Sequence, residues 1–326
     1  MRRLALAAAV LVELGACASL PRTGAPRPEP ALAGWTALGE GRQDEASRIF
    51  AARLVAAPDD AVALFGQATV AASRGDSRSA LDADVRLLRS LAGGAGAAWT
   101  EALAPVAAAR VRDLFDEIGP AEQARVAGLL RPSDLSRAPS LPWAACLELA
   151  RLAEDIGRRA GDPARVAREA AAAGFAPALM DAGRLGPLAH LDLRATEPPS
   201  ARDPSRWRAI AASGDHVDLA PALDGRADAR LLRAAVEVGE GVYEVLVDDA
   251  GEALLSVDGV TSAHGAPDRY GPRITATRLS LSAGRHELAL RVATAPGETR
   301  VTLAVLPEGS APPARFVPPQ VGAAGG

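Results

Sequence analysis

Two hydrophobic periodicities divide the chain. From residue 31 to about 185, apolar residues recur at helical spacing in Ala- and Leu-rich stretches broken by glycine or proline, the pattern of amphipathic helices. From about 187 they come in short alternating or continuous runs, the pattern of strands. The clearest helix is Trp143–Arg159, followed by the turn Gly161-Asp162-Pro163 and a helix over Ala164–Ala173 that Gly174 ends. Upstream, Pro120–Leu130 opens on a proline, which suits a first helical turn. Ala97–Ile118 holds one long helix, or two with a break at Pro105. Residues 131–142, RPSDLSRAPSLP, read as a loop. Strands are expected at His190–Arg194, Leu231–Val238, Gly241–Val247, Ala253–Val257, Ile274–Leu281, His286–Val292 and Thr299–Val305. Gly, Asp and Pro separate them, with turn signals at Asp258-Gly259 and Ala283-Gly284-Arg285. The expected fold is multidomain, α then β: helices over 31–185, an antiparallel β-sandwich over 186–306, and a disordered tail over 307–326.

Two segments of the helical region align at a spacing of 34 residues. Gly41 pairs with Gly75, Ala46 with Ala80, Gly34 with Ala68 and Ala37 with Ala71. Phe50 and Pro58 complete the first copy; Asp84 and Ala92 stand at those places in the second. Small residues let helices cross closely, glycine turns the chain, and proline stops the second helix. This pattern resembles tetratricopeptide repeats, with a plain helical bundle as the alternative. GDPARVAREA at 161–170 has the same look. The resemblance implies a tetratricopeptide-like array of five to eight helices between 31 and 185, whose concave face binds a protein or peptide.

The strand-rich region carries GVYEVLVDDAGEALLSVDGV (241–260) and LSAGRHELALRVA (281–293). These resemble the PA14-like jelly-roll modules of secreted bacterial proteins. In some such modules an Asp pair binds calcium and, through it, sugar hydroxyls. The resemblance implies Asp248 and Asp249 for that pair, with Asp258 at the next turn. Ala250 interrupts the turn, and no second loop supplies further oxygens. The alternative role of the three carboxylates is to cap turns. His286 reads as a structural residue at a strand edge.

The first residues give an address. Arg2 and Arg3 precede a nine-residue apolar stretch, Leu4–Val12, too short for the roughly 20 residues of a membrane span but suited to a secretion signal. Leu14-Gly15-Ala16-Cys17 then resembles the lipobox of bacterial lipoproteins, with Glu13 as a departure from it. That resemblance implies a signal peptide over 1–16 and acylation at Cys17, including palmitate-type chains. Residues 18–30 hold four prolines, so 17–30 reads as a flexible tether. Ala18 and Ser19 lack the aspartate of inner-membrane retention, which favours the outer membrane and the periplasmic or surface side.

Composition removes several function classes. The net charge is −4, and lysine is absent. There is no basic excess to hold nucleic acid. No HExxH, G-x-S-x-G, Walker or dinucleotide fingerprint occurs. No metal site and no cofactor are implied. Cys146 sits among apolar helix positions and reads as buried and inert, while Glu154 and Asp155 read as solvated helix surface. The expectation is a non-enzymatic envelope lipoprotein acting as a protein-binding scaffold or adaptor. The alternative is a carbohydrate-binding lipoprotein whose sandwich binds cell-wall or surface glycan; a third reading is an envelope hydrolase.

Overall fold

The computed structural model describes residues 30–135, 138, 140–186, 203–223, 228–249, 252–265, 274–294, 299–309 and 311–319. The leader, Cys17, most of the tether and the His190–Arg194 strand lie outside them.

Helices come first: α1 Pro30–Gly39, α2 Gln43–Ala56, α3 Ala61–Ser73 and α4 Ser77–Ala92. The turns entering α2 and α4 use Gly41 (φ 77°) and Gly75 (φ 74°), a left-handed backbone that a side chain resists. Asp60 and Asp76 cap α3 and α4, accepting from the N–H groups of Ala63 and Ser79. Ala46 and Ala80 are fully buried. The Phe50 ring fills the space that a Cβ on Gly34 or Gly66 would need, and Trp35 meets it edge-on at 5.3 Å. Asp84, at the place of Phe50 in the second copy, is also fully buried. There α5 (Ala97–Phe115) supplies Arg110, whose Nε and Nη2 each donate to Asp84 at 2.7 Å. Helix α5 runs through Pro105 unbroken. Leu103, Ala104, Ala107, Ala108 and Val111 are all buried around it, so packing outweighs the lost backbone bond.

Next come α6 Pro120–Leu130, α7 Pro132–Leu135, α8 Trp143–Arg159 and α9 Pro163–Ala172. The expected loop at 131–142 therefore contains one helical turn. Cys146 is buried, and loss of solvent pushes its thiol up to about 12. Among the described residues no helix is long and apolar enough to cross a membrane.

Among the described residues an eleven-stranded antiparallel sheet follows. Its strands are β1 Ala178–Gly186, β2 Arg208–Ser213, β3 His216–Asp218, β4 Asp228–Val238, β5 Gly241–Asp249, β6 Glu252–Val257, β7 Val260–Gly265, β8 Ile274–Leu281, β9 Gly284–Thr294, β10 Arg300–Pro307 and β11 Arg315–Val317, with one helical turn, α10 (Ala220–Leu223), after β3. The strand order is β7-β6-β9-β4-β1-β2-β3-β10-β5-β8, with β11 also on β4. Strand β2 passes between two layers, pairing β1 through Arg208–Ala211 and β3 through Ala212 and Ser213. The two layers enclose one apolar core, including Leu232, Val236, Tyr243, Val245, Leu288, Leu290, Leu303 and Val305. The chain is thus helices followed by a near-closed, two-layered antiparallel sheet.

Two boundaries differ from expectation. The sheet begins at Ala178, inside the stretch expected to be helical. Its first strand, ALMDAGRLG, shifts register against β4 between Asp181 and Gly183 and again between Arg184 and Gly186. Such bulges erase the alternation that betrays a strand. At the other end, residues after 307 are not all tail. Pro312 accepts the Tyr243 hydroxyl at 2.9 Å, and Arg315–Val317 pair with β4. Three paired residues between prolines are too short a signal to read.

Candidate functional site

The helices and the sheet meet along α8, α9, β5 and β10. Along β5 and β10 side chains alternate between faces. Val245, Val247, Leu303 and Val305 point into the sheet core, while Leu246, Ala304 and Leu306 pack against Leu147, Ala150, Ala170 and Phe175. With both faces covered, β10 is buried at six consecutive positions. Backbone bonds reinforce the seam: Val305 N donates to Gly174 O at 2.9 Å and Ala176 N to Leu303 O at 2.8 Å.

Further along the same outer face the residues become Asp248, Thr302 and Arg300. They border a cleft of about 320 Å³ closed by α8, by Arg112 of α5 and by the β2–β3 turn. Arg151 of α8 is its centre. Its Nε donates to Asp215 and its Nη2 to Asp248, both at 2.8 Å, and Glu148 lies at 3.5 Å from Nη1. One guanidinium therefore ties a helix to the β2–β3 turn and to strand β5, a task suited to its planar fork. Asp215 also accepts from His216 Nδ1 at 2.9 Å. Burial alone would raise the Asp215 carboxyl, but the His216 and Arg151 contacts outweigh it and hold it at about 2.

Glu154, one turn along α8, departs from its expected place on a solvated surface: it is fully buried. Its Oε2 accepts the Asp215 N–H at 2.9 Å. Burial, and then the nearby Asp215 charge, push the carboxyl up to about 8, so it is uncharged at neutral pH. Asp155 keeps partial exposure and pairs with Arg158 at 2.8 Å. Arg112 pairs with Glu148 at 2.9 Å. Three of the four arginines bordering the cleft are thus held by neighbouring carboxylates.

The three carboxylates singled out from the sequence do not converge. Asp248 is engaged by Arg151. Asp249 ends β5 opposite Val301, and its side chain lies outside the described residues. Asp258 sits in the β6–β7 turn with φ 50°, accepting from His286 Nδ1 at 2.7 Å and Glu287 N at 2.8 Å. The six residues of β6 separate it from the β5 end, roughly 20 Å at strand rise. Among the described residues no cluster of His, Cys, Asp or Glu could hold a metal ion.

His286 is buried, and both ring nitrogens face acceptors, Asp258 and the Ser282 carbonyl at 2.9 Å. Burial lowers its pKa, yet the Ser282 and Asp258 bonds prevail and raise it above its ordinary value. The folded state therefore binds this proton more tightly than the unfolded chain. That stabilisation is complete below about pH 6.5 and is lost as pH rises through the raised value. The melting-temperature gap between wild type and His286→Gln should be widest near pH 5.5 and narrow steadily towards pH 9.

Sequence reasoning missed Arg151, Glu154, Asp215 and His216. One signal was present: Leu147, Ala150, Glu154 and Gly157 form a second buried stripe on α8, beside Cys146, Leu149 and Leu152. A helix with two such stripes has two packing faces. The short Gly214-Asp215-His216 turn offers no comparable signal.

No protein-family model and no curated protein sequence matches the chain. Among solved structures, a β-glucosidase from Kluyveromyces marxianus in complex with glucose is similar over 40% of this chain and 15% of its own, at 12% identity and a TM-score of 0.29. An α-xylosidase from Xanthomonas citri is similar over 28% of this chain and 11% of its own, at 17% identity and a TM-score of 0.23.

Proposed function

We propose that this chain is a lipid-anchored envelope protein of the outer membrane that serves, without enzymatic activity, as a protein-binding scaffold or adaptor. The lipobox-like Leu14-Gly15-Ala16-Cys17 supports acylation of Cys17. The 34-residue spacing of the α2 and α4 starts, Gln43 and Ser77, supports a tetratricopeptide-like array whose concave face takes an envelope protein or peptide. The two-layered antiparallel sheet is compatible with a jelly-roll accessory module. The observation that carries the reading is the seam between helices and sheet. Apolar packing, backbone bonds and the Arg151 fork join them, so a partner held by the helices is also held at a set position relative to the sheet.

Crosslinking in living cells, with a carboxy-terminal tag and mass spectrometry of the attached material, tests this. One or two abundant envelope proteins joined to residues 31–172 are expected. Cys17→Ala should leave the membrane fraction. Recovery of cell-wall or capsule fragments on residues 178–307, with no protein partner, would overturn the scaffold in favour of glycan binding.

A further inference from the structure

Glu154 is the least expected group in the seam. Its side chain is 1% exposed, and Oε1 has no hydrogen-bond partner among the described residues. The β2–β3 turn lies so close that a Cβ on Gly214 would fall onto Oε2. No water-sized gap separates turn from acid on that side. An uncharged carboxyl tolerates this confinement; a carboxylate must be hydrated or paired.

We propose that Glu154 is a proton-operated latch between the helices and the sheet: protonated, it lets the Gly214–Asp215 turn rest on α8, and ionised, it displaces that turn and opens the cleft beside it. This inference goes beyond the scaffold reading and stands whether or not a partner protein is found.

The surrounding charges favour two states. The turn presents the Asp215 carboxylate, and α8 presents Asp155; both repel a charge at Glu154. Of the cations, Arg151 is held by Asp215 and Asp248, and Arg112 by Glu148 and Asp155. Arg165 of α9 pairs with Glu169 at 3.8 Å. His216 is turned to Asp215, and Arg300 stands at the β10 end of the cleft. Arg158, 3.6 Å from Oε2, is about half exposed and also holds Asp155. The Asp215 N–H favours a carboxylate but is one bond against burial and two like charges. Arg158 can follow an ionised Glu154 outward only if the turn moves away. Neither the apolar patch nor the Gly174–Val305 bond includes a residue of the turn, so both can hold the helices to the sheet while the cleft opens.

Hydrogen exchange on the full chain between pH 6 and 9.5, corrected for the intrinsic pH dependence of exchange, tests the latch. Peptides covering 148–158 and 210–217 should lose protection at least tenfold through a midpoint near pH 8, while peptides covering 300–306 stay protected. Glu154→Gln, uncharged and similar in shape, should keep its protection flat across the range. The same loss in Glu154→Gln, or a flat wild-type profile, would overturn the proposal. Should that variant fail to fold, side-chain carboxyl NMR of wild-type chain labelled at glutamate decides. A buried glutamate titrating near pH 8 together with the exchange change upholds the latch; none titrating above pH 6 overturns it.

Discussion

Replacing Arg151 with alanine is expected to lower the melting temperature by roughly 6–12 °C at pH 7. The change strips Asp215 and Asp248 of the cation that both share, with Glu148 beside them. Breaking one side of a buried ion pair costs about 3–5 kcal/mol. Arg151 retains 15% exposure and Asp248 retains 30%, which places the loss near the lower end, about 3 kcal/mol. At 2–4 °C per kcal/mol for a large domain, the stated shift follows. The pH dependence gives the origin. Asp215 is held at about 2, below its ordinary value near 3.8. The stability it contributes is therefore present above about pH 4 and lost as pH falls through 2. The gap between wild type and Arg151→Ala should be full at pH 7 and shrink between pH 4 and 2.5. Arg151→Lys keeps the charge but lacks the fork, and should recover less than half of the loss. Asp215→Asn in the alanine background should recover some of it, since the orphaned charge is gone. A shift under 2 °C for Arg151→Ala would mean that the apolar seam alone holds helices and sheet together.

The same seam shows why the fold was partly legible. Ile274–Leu281, Trp143–Arg159 and Pro120–Leu130 agree with the observed elements at both ends, because each is a clean periodic run between turn residues. Strands β4, β5, β6, β9 and β10 were also visible as apolar runs, displaced by a few residues at their ends. The hidden strands have physical excuses. Strand β1 is bulged twice, β2 changes layer midway, β3 and β11 span three residues each, and β7 (VTSAHG) slips register against β6 and carries few apolar residues. Periodicity needs several uninterrupted repeats to rise above chance. The site was less legible than the fold. Arg151, Asp215 and Asp248 are 64 to 97 residues apart in sequence for the bonded pairs, and only tertiary structure brings them together. Glu154 was misjudged for a different reason. Beside Asp155, Arg158 and Arg159 it looks like one charge on a solvated face, whereas its spacing from Leu147 and Ala150 puts it on a buried one.

Gly174→Ala should separate helices from sheet where Arg151→Ala only loosens them. Gly174 has φ 87°, which costs a residue with a Cβ about 1–2 kcal/mol. The added methyl would also lie 2.5 Å from Val305 O and 3.2 Å from a Leu306 methyl. Val305 is a β10 residue hydrogen-bonded to Gly174 itself, so relief requires moving the helix end away from the sheet. That movement breaks the Val305–Gly174 and Ala176–Leu303 bonds, at about 1 kcal/mol each or more where the groups stay buried. The total is about 4 kcal/mol. Gly161→Ala supplies the matched control. It has nearly the same backbone, φ 66°, and nothing lies within 4 Å of its added Cβ; it should cost only about 1 kcal/mol. Calorimetry of the two variants isolates the seam from the backbone penalty. Gly174→Ala should melt in two resolved steps, with early proteolytic cleavage between residues 173 and 178, while Gly161→Ala should melt in one. Equal shifts for both would mean that strain at a left-handed position, rather than the meeting of Gly174 with β10, governs how the helices are held.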